Sequence, residues 1–170
     1  MKKILAPIII LLAFTLAMSQ NDAKIKWTSI QEALVMNKTG KFVFIDFYTS
    51  WCGWCTKMDQ TTFIDESVVS FMNKHFIPVK FNAETSDSIK YNGKTYGNQY
   101  PGRTRSANDF TYAILGSRFG YPSFAVMDEN NSVILIIPGF QQPAQLLSVL
   151  KYVQTKSYLT KTWEEWNAPQ

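Results

Sequence analysis

The chain has 170 residues, 46% apolar and 18% charged, with 17 Lys and Arg against 13 Asp and Glu for a formal charge of +4. That length is a prior for one domain, and that composition belongs to a packed globular protein, with nothing to suggest disorder and no internal repeat or low-complexity tract. The charges are interspersed rather than gathered into a basic stripe, so nucleic acid is not an expected partner.

The N-terminus reads as an address. Met1-Lys2-Lys3 is a positive start, Ile4 to Ala17 is an apolar run broken only by Pro7 and Thr15, and Ala17-Met18-Ser19 places small residues at −3 and −1 before Gln20. This is the pattern of an export signal over 1–19, leaving 20–170 as the mature protein with a charge of about +2 once Lys2 and Lys3 are gone. The alternative is a retained anchor, but a span needs about 20 apolar residues and this run is shorter. No cysteine lies near the cleavage site, so a lipoprotein signal is excluded. The expectation is a periplasmic or secreted protein with no stable membrane insertion after cleavage.

In chain order, residues 20–26 read as a frayed lead-in. Trp27 to Lys38 reads as a helix, with Ser29 and Glu32 as a capping box and Gly40 as its stop. Lys41 to Tyr48 is rich in β-branched and aromatic residues and nearly continuously apolar, as a strand buried on both faces must be. A helix starts near Cys52, and another starts at Asp65 with Val68, Val69, Phe71 and Met72 on its buried side. Phe76 to Phe81 is a second strand. Residues 82–110 are polar and irregular, but Asn92-Gly93 between Ile89 and Tyr96 predicts a hairpin on a type I′ turn. A short helix over 109–117, strands over 124–128 and 133–137, and a helix over 143–157 complete the core. The tail ends in Trp163-Glu164-Glu165-Trp166, readable as one more amphipathic turn. Strands alternating with helices imply parallel pairing with crossovers, and the late strand pair adds an antiparallel edge, so the class is α/β with a mixed sheet.

Cys52 and Cys55 are the only cysteines. Export places them where disulfides persist, yet a bond across so short a loop removes little unfolded-state entropy. Reactivity explains the pair better than stability does.

The block Phe42-Val43-Phe44-Ile45-Asp46-Phe47-Tyr48-Thr49-Ser50-Trp51-Cys52-Gly53-Trp54-Cys55 resembles the thioredoxin superfamily. Asp46 sits six residues before the first cysteine, Lys80 lies in the second strand, Pro122 precedes the last strand pair seventy residues after Cys52, and Gly139 follows it. The likeness covers about 27–157, leaving 158–170 as a tail. It implies a thioredoxin-like fold, a central mixed sheet flanked by helices, with an insertion at about 82–110 between the second core strand and a cis-proline hairpin. It also implies a thiol–disulfide oxidoreductase with a redox-active Cys52–Cys55 disulfide, acting on protein or peptide thiols and disulfides and recycled by a redox partner. No cofactor is expected, because the disulfide itself carries two electrons.

Each residue has a physical task. A Cys at a helix start meets the positive end of the dipole and free N–H groups, which lower a thiol pKa from about 8.5 to about 3.5–7.5, so Cys52 is the nucleophile. Cys55, one turn on, resolves the mixed disulfide. Asp46 in an apolar strand is costly unless paired or functional, and the resemblance makes it a buried proton carrier for Cys55 with Lys80 beside it. Lys80 reads equally well as a strand residue facing water. Tyr121 and Pro122 would position the substrate chain. Trp54 is expected exposed and Trp51 packed under the helix as core, although either one, exposed beside a nucleophile, offers an apolar docking surface. The Gly53-Trp54 dipeptide holds no cation to stabilise a Cys52 thiolate, which leans toward a reductant or isomerase.

Rival readings are weaker. Two Cys and one His, His75, are too few for a structural zinc site, and His75 fits a helix end. A Cu(I) carrier would use the same thiols, with Met58 as the nearby soft candidate, but Met58 reads as core. A non-enzymatic folding helper would use the surface around Trp54. In the insertion, Tyr91, Tyr96, Tyr100, Arg103 and Arg105 either line a substrate face or are solvated loop residues.

Overall fold

A computed structural model describes residues 24–37 and 40–168. The expected export signal lies outside them. The elements are α1 (Ile30–Met36), β1 (Phe42–Tyr48), α2 (Gly53–Gln60), α3 (Glu66–His75), β2 (Phe76–Asn82), β3 (Ile89–Tyr91), β4 (Lys94–Tyr96), α4 (Asp109–Leu115), β5 (Ser123–Met127), β6 (Val133–Pro138), α5 (Pro143–Gln154) and α6 (Trp163–Trp166). The main sheet has the order β2-β1-β5-β6. β1 runs parallel to β2 and antiparallel to β5, which is antiparallel to β6. The mixed sheet expected from the alternation is therefore present.

Side chains alternate across a strand, and here each face of β1 feeds a different core. Phe42 and Phe44 join Phe124, Met58, Met72 and Leu150 on one side; Val43, Ile45 and Phe47 join Val79, Phe110 and Met127 on the other. Period two then puts Asp46 on the Phe44 side, toward the layer that contains α2 through Met58. Phe44 stacks on Phe124 at 5.4 Å, and burying one such ring is worth about 1.5–3 kcal/mol.

The N-terminal expectations need correction. From residue 24 onward the lead-in is docked, not frayed: Ile25 is buried, Asn73 holds the backbone of Lys24 and Lys26 at 2.9 Å each, and Thr28 forms a parallel bridge to Val79; the start of the expected lead-in, 20–23, lies outside the described residues. That bridge commits Thr28 to an extended backbone, so α1 starts only at Ile30, where the Ser29–Glu32 capping box closes it. The tail does fold as an amphipathic turn. α6 packs Trp163 and Trp166 against Tyr152 at 5.5 and 5.8 Å, and the Tyr152 hydroxyl donates to the Lys161 carbonyl at 2.6 Å.

The insertion contains the expected hairpin, with Asn92 and Gly93 at φ 48° and 74°. Elsewhere it lacks regular structure, and side-chain amides replace the missing ladder. Asn108 is fully buried, donating to the carbonyls of Thr85 at 3.2 Å and Asp87 at 3.0 Å and accepting from the Phe110 N–H at 3.0 Å. Asn98 donates to the carbonyls of Glu84 at 3.2 Å and Ser106 at 2.7 Å.

Candidate active site

β1 ends in a turn in which the Cys52 N–H reaches the Thr49 carbonyl at 3.2 Å, and α2 begins at once. Cys52 is the N-cap of α2, its Sγ accepting the Cys55 N–H at 3.0 Å. The sulfur thus occupies the place where a cap oxygen satisfies an orphan helix donor. Cys52 and Cys55 are joined as a disulfide, with S–S 2.04 Å. Both are buried, whereas Gly53 and Trp54 between them are exposed. Cys55 and Met58 form the buried face of α2. Met58 Sδ accepts the Gln141 N–H at 3.4 Å from within the core.

Asp46 is 1% exposed and stands opposite Lys80 in the β1–β2 register. Lys80 Nζ donates to Asp46 Oδ2 at 2.7 Å and to Asp59 Oδ1, and it lies 5.0–5.2 Å from the ring centres of Trp27, Tyr48 and Phe63. Burial raises the Asp46 pKa from 3.8 to about 6, since desolvation outweighs the nearby ammonium. Burial also works to discharge Lys80, but Asp46 and Asp59 outweigh it and hold its pKa above the usual lysine value. Asp46 Oδ1 has no hydrogen-bond partner among the described residues, leaving one carboxylate oxygen open for a proton. Of the two readings of Lys80, the pair with Asp46 is the one present, with the lysine side chain half-buried between Asp46 and Asp59.

The Tyr121–Pro122 bond is cis. The Gly139 N–H donates to the Pro122 carbonyl at 2.9 Å, tying this turn to the loop after β6. Thr62 Oγ1 donates to the Gln141 carbonyl at 2.6 Å, tying that loop to the region after α2. Both tryptophans flanking the disulfide reach these loops. Trp54, 62% exposed, lies 5.4 Å from Phe140, and Trp51 lies edge-on to Tyr121 at 5.8 Å. The expectation that Trp51 is core is overturned: it is 45% exposed. Its indole N–H donates to Glu84 Oε1 at 3.0 Å, which holds the ring out of the apolar layer beside the redox pair.

His75 ends α3 with its ring 4.5 Å from Phe71, and burial together with Lys74 and Lys41 lowers its pKa. Among the described residues no group of three or more His, Cys, Asp and Glu side chains could hold a metal ion. Tyr91 and Tyr96 turn inward onto Phe110 at 5.6 and 6.0 Å and are partly buried against the second core, not solvated loop residues. Arg105 does reach the site, its guanidinium 5.5 Å from the Trp51 ring.

A family model described as a thioredoxin-like domain matches residues 31–154. The chain belongs to the thioredoxin-like family. Solved structures similar to it include a DsbH oxidoreductase, 20% identical, TM-score 0.53, covering 84% of this chain and 89% of that one. A thioredoxin from Thermus thermophilus is 17% identical with TM-score 0.57, covering 78% and 89%. A disulphide isomerase from Xylella fastidiosa is 17% identical with TM-score 0.53, covering 79% and 93%. At such identities these likenesses speak for the shared fold. No curated protein matches this chain in sequence. The function of this thioredoxin-like chain therefore rests on the geometry of its own CxxC site.

Three residues of this thioredoxin-like site escaped the sequence reading. Asp59 lies four residues after Cys55 on α2, a helical spacing that marks it as a neighbour of the buried face. Phe140 directly follows Gly139, a position already singled out. Glu84 carried no local signal, because its partner Trp51 is 33 residues away.

Proposed function

We propose that this thioredoxin-like protein is an exported thiol–disulfide oxidoreductase acting on protein or peptide substrates, and that it works as a reductant or isomerase rather than a strong oxidant. The observation that carries the reading is the disulfide whose first sulfur caps α2 between two exposed tryptophans, the first of them edge-on to Tyr121 of the cis-proline turn.

In the reducing direction, the Cys52 thiolate attacks one sulfur of a substrate disulfide. A mixed disulfide forms and the substrate's other sulfur leaves as a thiolate. Cys55 loses its proton to Asp46 and attacks Cys52 Sγ. The second substrate sulfur leaves, the substrate has gained two electrons, and the Cys52–Cys55 pair is oxidised. A pKa of about 6 suits Asp46 to accept and release that proton near neutral pH, and Lys80 links the buried carboxylate to Asp59 at the surface. Tyr121 and Pro122 present backbone to the substrate chain, and Trp51 and Trp54 present apolar surface to it. A redox partner restores the dithiol. Export rests on the N-terminal pattern of residues 1–19.

The test is substrate trapping. Cys52→Ser should abolish insulin reduction, whereas Cys55→Ser should accumulate a mixed disulfide visible by mass. Activity surviving Cys52→Ser would instead mark a non-enzymatic folding helper, and stoichiometric, tight Cu(I) binding by the dithiol would support a carrier. The reduction potential should lie nearer the reducing end, about −270 mV, than the about −120 mV of strong periplasmic oxidants.

A further inference from the structure

The insertion reaches the tryptophan that precedes the redox pair. Residues 97–108 carry two cations, Arg103 and Arg105, and no carboxylate. Arg105 has φ 67°, and its N–H donates to the same Glu84 Oε1 that accepts the Trp51 indole N–H. One carboxylate oxygen thus bolts the insertion to the tryptophan beside Cys52. The Arg105 guanidinium lies over the Trp51 ring, and Arg103 lies over Tyr100 at 5.7 Å. Neither arginine belongs to an ion pair among the described residues.

Beneath Arg105 opens a cleft of about 290 Å³, walled by Trp51, Tyr112, Phe119 and Tyr121 with Glu84 on one side. Arg105 and Tyr112 also border a second depression of about 670 Å³ that continues to Arg103 and Tyr100, with Asp109 on its rim. A track therefore runs from the Tyr121–Pro122 turn along an aromatic wall to two exposed guanidinium groups. Of the two acids on it, Glu84 is engaged by two N–H donors at Oε1, and Asp109 sits in the first turn of α4, where the helix dipole accommodates it. Both guanidinium groups are exposed on the track, with Glu84 and Asp109 as the negative charges beside them.

The geometry points to this track as a specificity subsite for an acidic segment flanking the substrate's reactive cysteine, with Arg105 as the primary receptor of its carboxylate and Arg103 as the second. This rests on the exchange reading above. Arginine over an aromatic ring is oriented without being neutralised, and its planar fork suits a carboxylate. Glu84 acts as a positioning residue, holding Arg105 and Trp51 rather than touching substrate.

The test uses two peptide disulfides identical except for Asp-Glu or Lys-Lys beside the cysteine. The full chain should turn over the acidic peptide with kcat/KM about tenfold above the basic one in low salt. The ratio should shrink toward unity at about 1 M salt, where screening acts within about 3 Å. Arg105→Gln should cut the ratio to about threefold, and Arg103→Gln with Arg105→Gln to unity. Lys161→Gln, the same charge change in the tail, should keep the wild-type ratio. Glu84→Gln, which retains an acceptor and removes a negative charge, should raise it. Equal rates for the two peptides, or a preference that survives the double arginine variant, would overturn the subsite while leaving the exchange reading intact. No turnover of either peptide by a pair that dithiothreitol reduces would overturn the exchange reading itself.

Discussion

The β1–α2 segment and the 82–108 insertion meet at Trp51 but are held in different ways. In β1, the ladder to β2 and β5 satisfies the backbone, and alternate side chains fill two cores. In the insertion outside its hairpin, side chains such as Asn98, Asn108 and Glu84 hold the backbone together with scattered backbone bridges, Asn108 N–H to the Ala83 carbonyl and Asp109 N–H to the Gly97 carbonyl at 2.7 Å each. The first arrangement tolerates little change anywhere along its length. The second leans on a few scattered bonds, those of Asn98, Asn108 and Glu84 foremost, while the side chains of Arg103 and Arg105 stand exposed. A fixed chemistry can thus be set beside an adjustable surface.

Four substitutions would break or sharpen that contrast. Phe44→Ala, in the core under β1, should cost about 3–5 kcal/mol in urea unfolding, through lost transfer energy and the cavity left beside Phe124. Asp46→Asn should do the opposite. A carboxyl raised from 3.8 to about 6 favours the folded state below about pH 4, and that advantage is lost as pH rises through about 6. The variant should therefore be more stable than the parent by about 2–3 kcal/mol above about pH 6, with the gap closing below about pH 4. A gap that widened on acidification would refute the buried-carboxylate account. Asn108→Ala should cost about 2 kcal/mol by stranding the Thr85 and Asp87 carbonyls, and amide exchange should quicken in 84–108 while β1 stays protected. Equal loss of protection in β1 would erase the distinction between the two regions. Smallest, Gly93→Ala should cost about 1 kcal/mol from its φ of 74° alone, since nothing lies within 4 Å of an added Cβ.

Legibility in the sequence divided along the same boundary. Cys52 and Cys55 could be read as a pair at a helix start because one strand and one helix place them, whereas the burial of Asp46 was read through the family resemblance. Pro122 was readable through the family resemblance. Trp51 was misjudged, because an aromatic at a strand–helix junction is core or surface depending on a partner far along the chain, here Glu84. The lead-in was misjudged for a similar reason: its short polar stretch has no periodicity, and its order comes from Asn73 and Val79. The hairpin at Asn92-Gly93 was legible and the path of 97–108 was not, since turn chemistry is local and amide bridges are not.

The bridge at Thr28 has a consequence for a molecule whose proposed work brings it against extended foreign chains. β2 is an outer strand of the sheet, and its rim would otherwise be a template for any unfolded visitor. Thr28 takes the Pro78 carbonyl at 2.9 Å, and Pro78 has no N–H to offer. That one bridge, with Pro78 beside it, occupies the middle of the β2 rim with the protein's own chain, so an extended visitor finds no uninterrupted edge there to pair with.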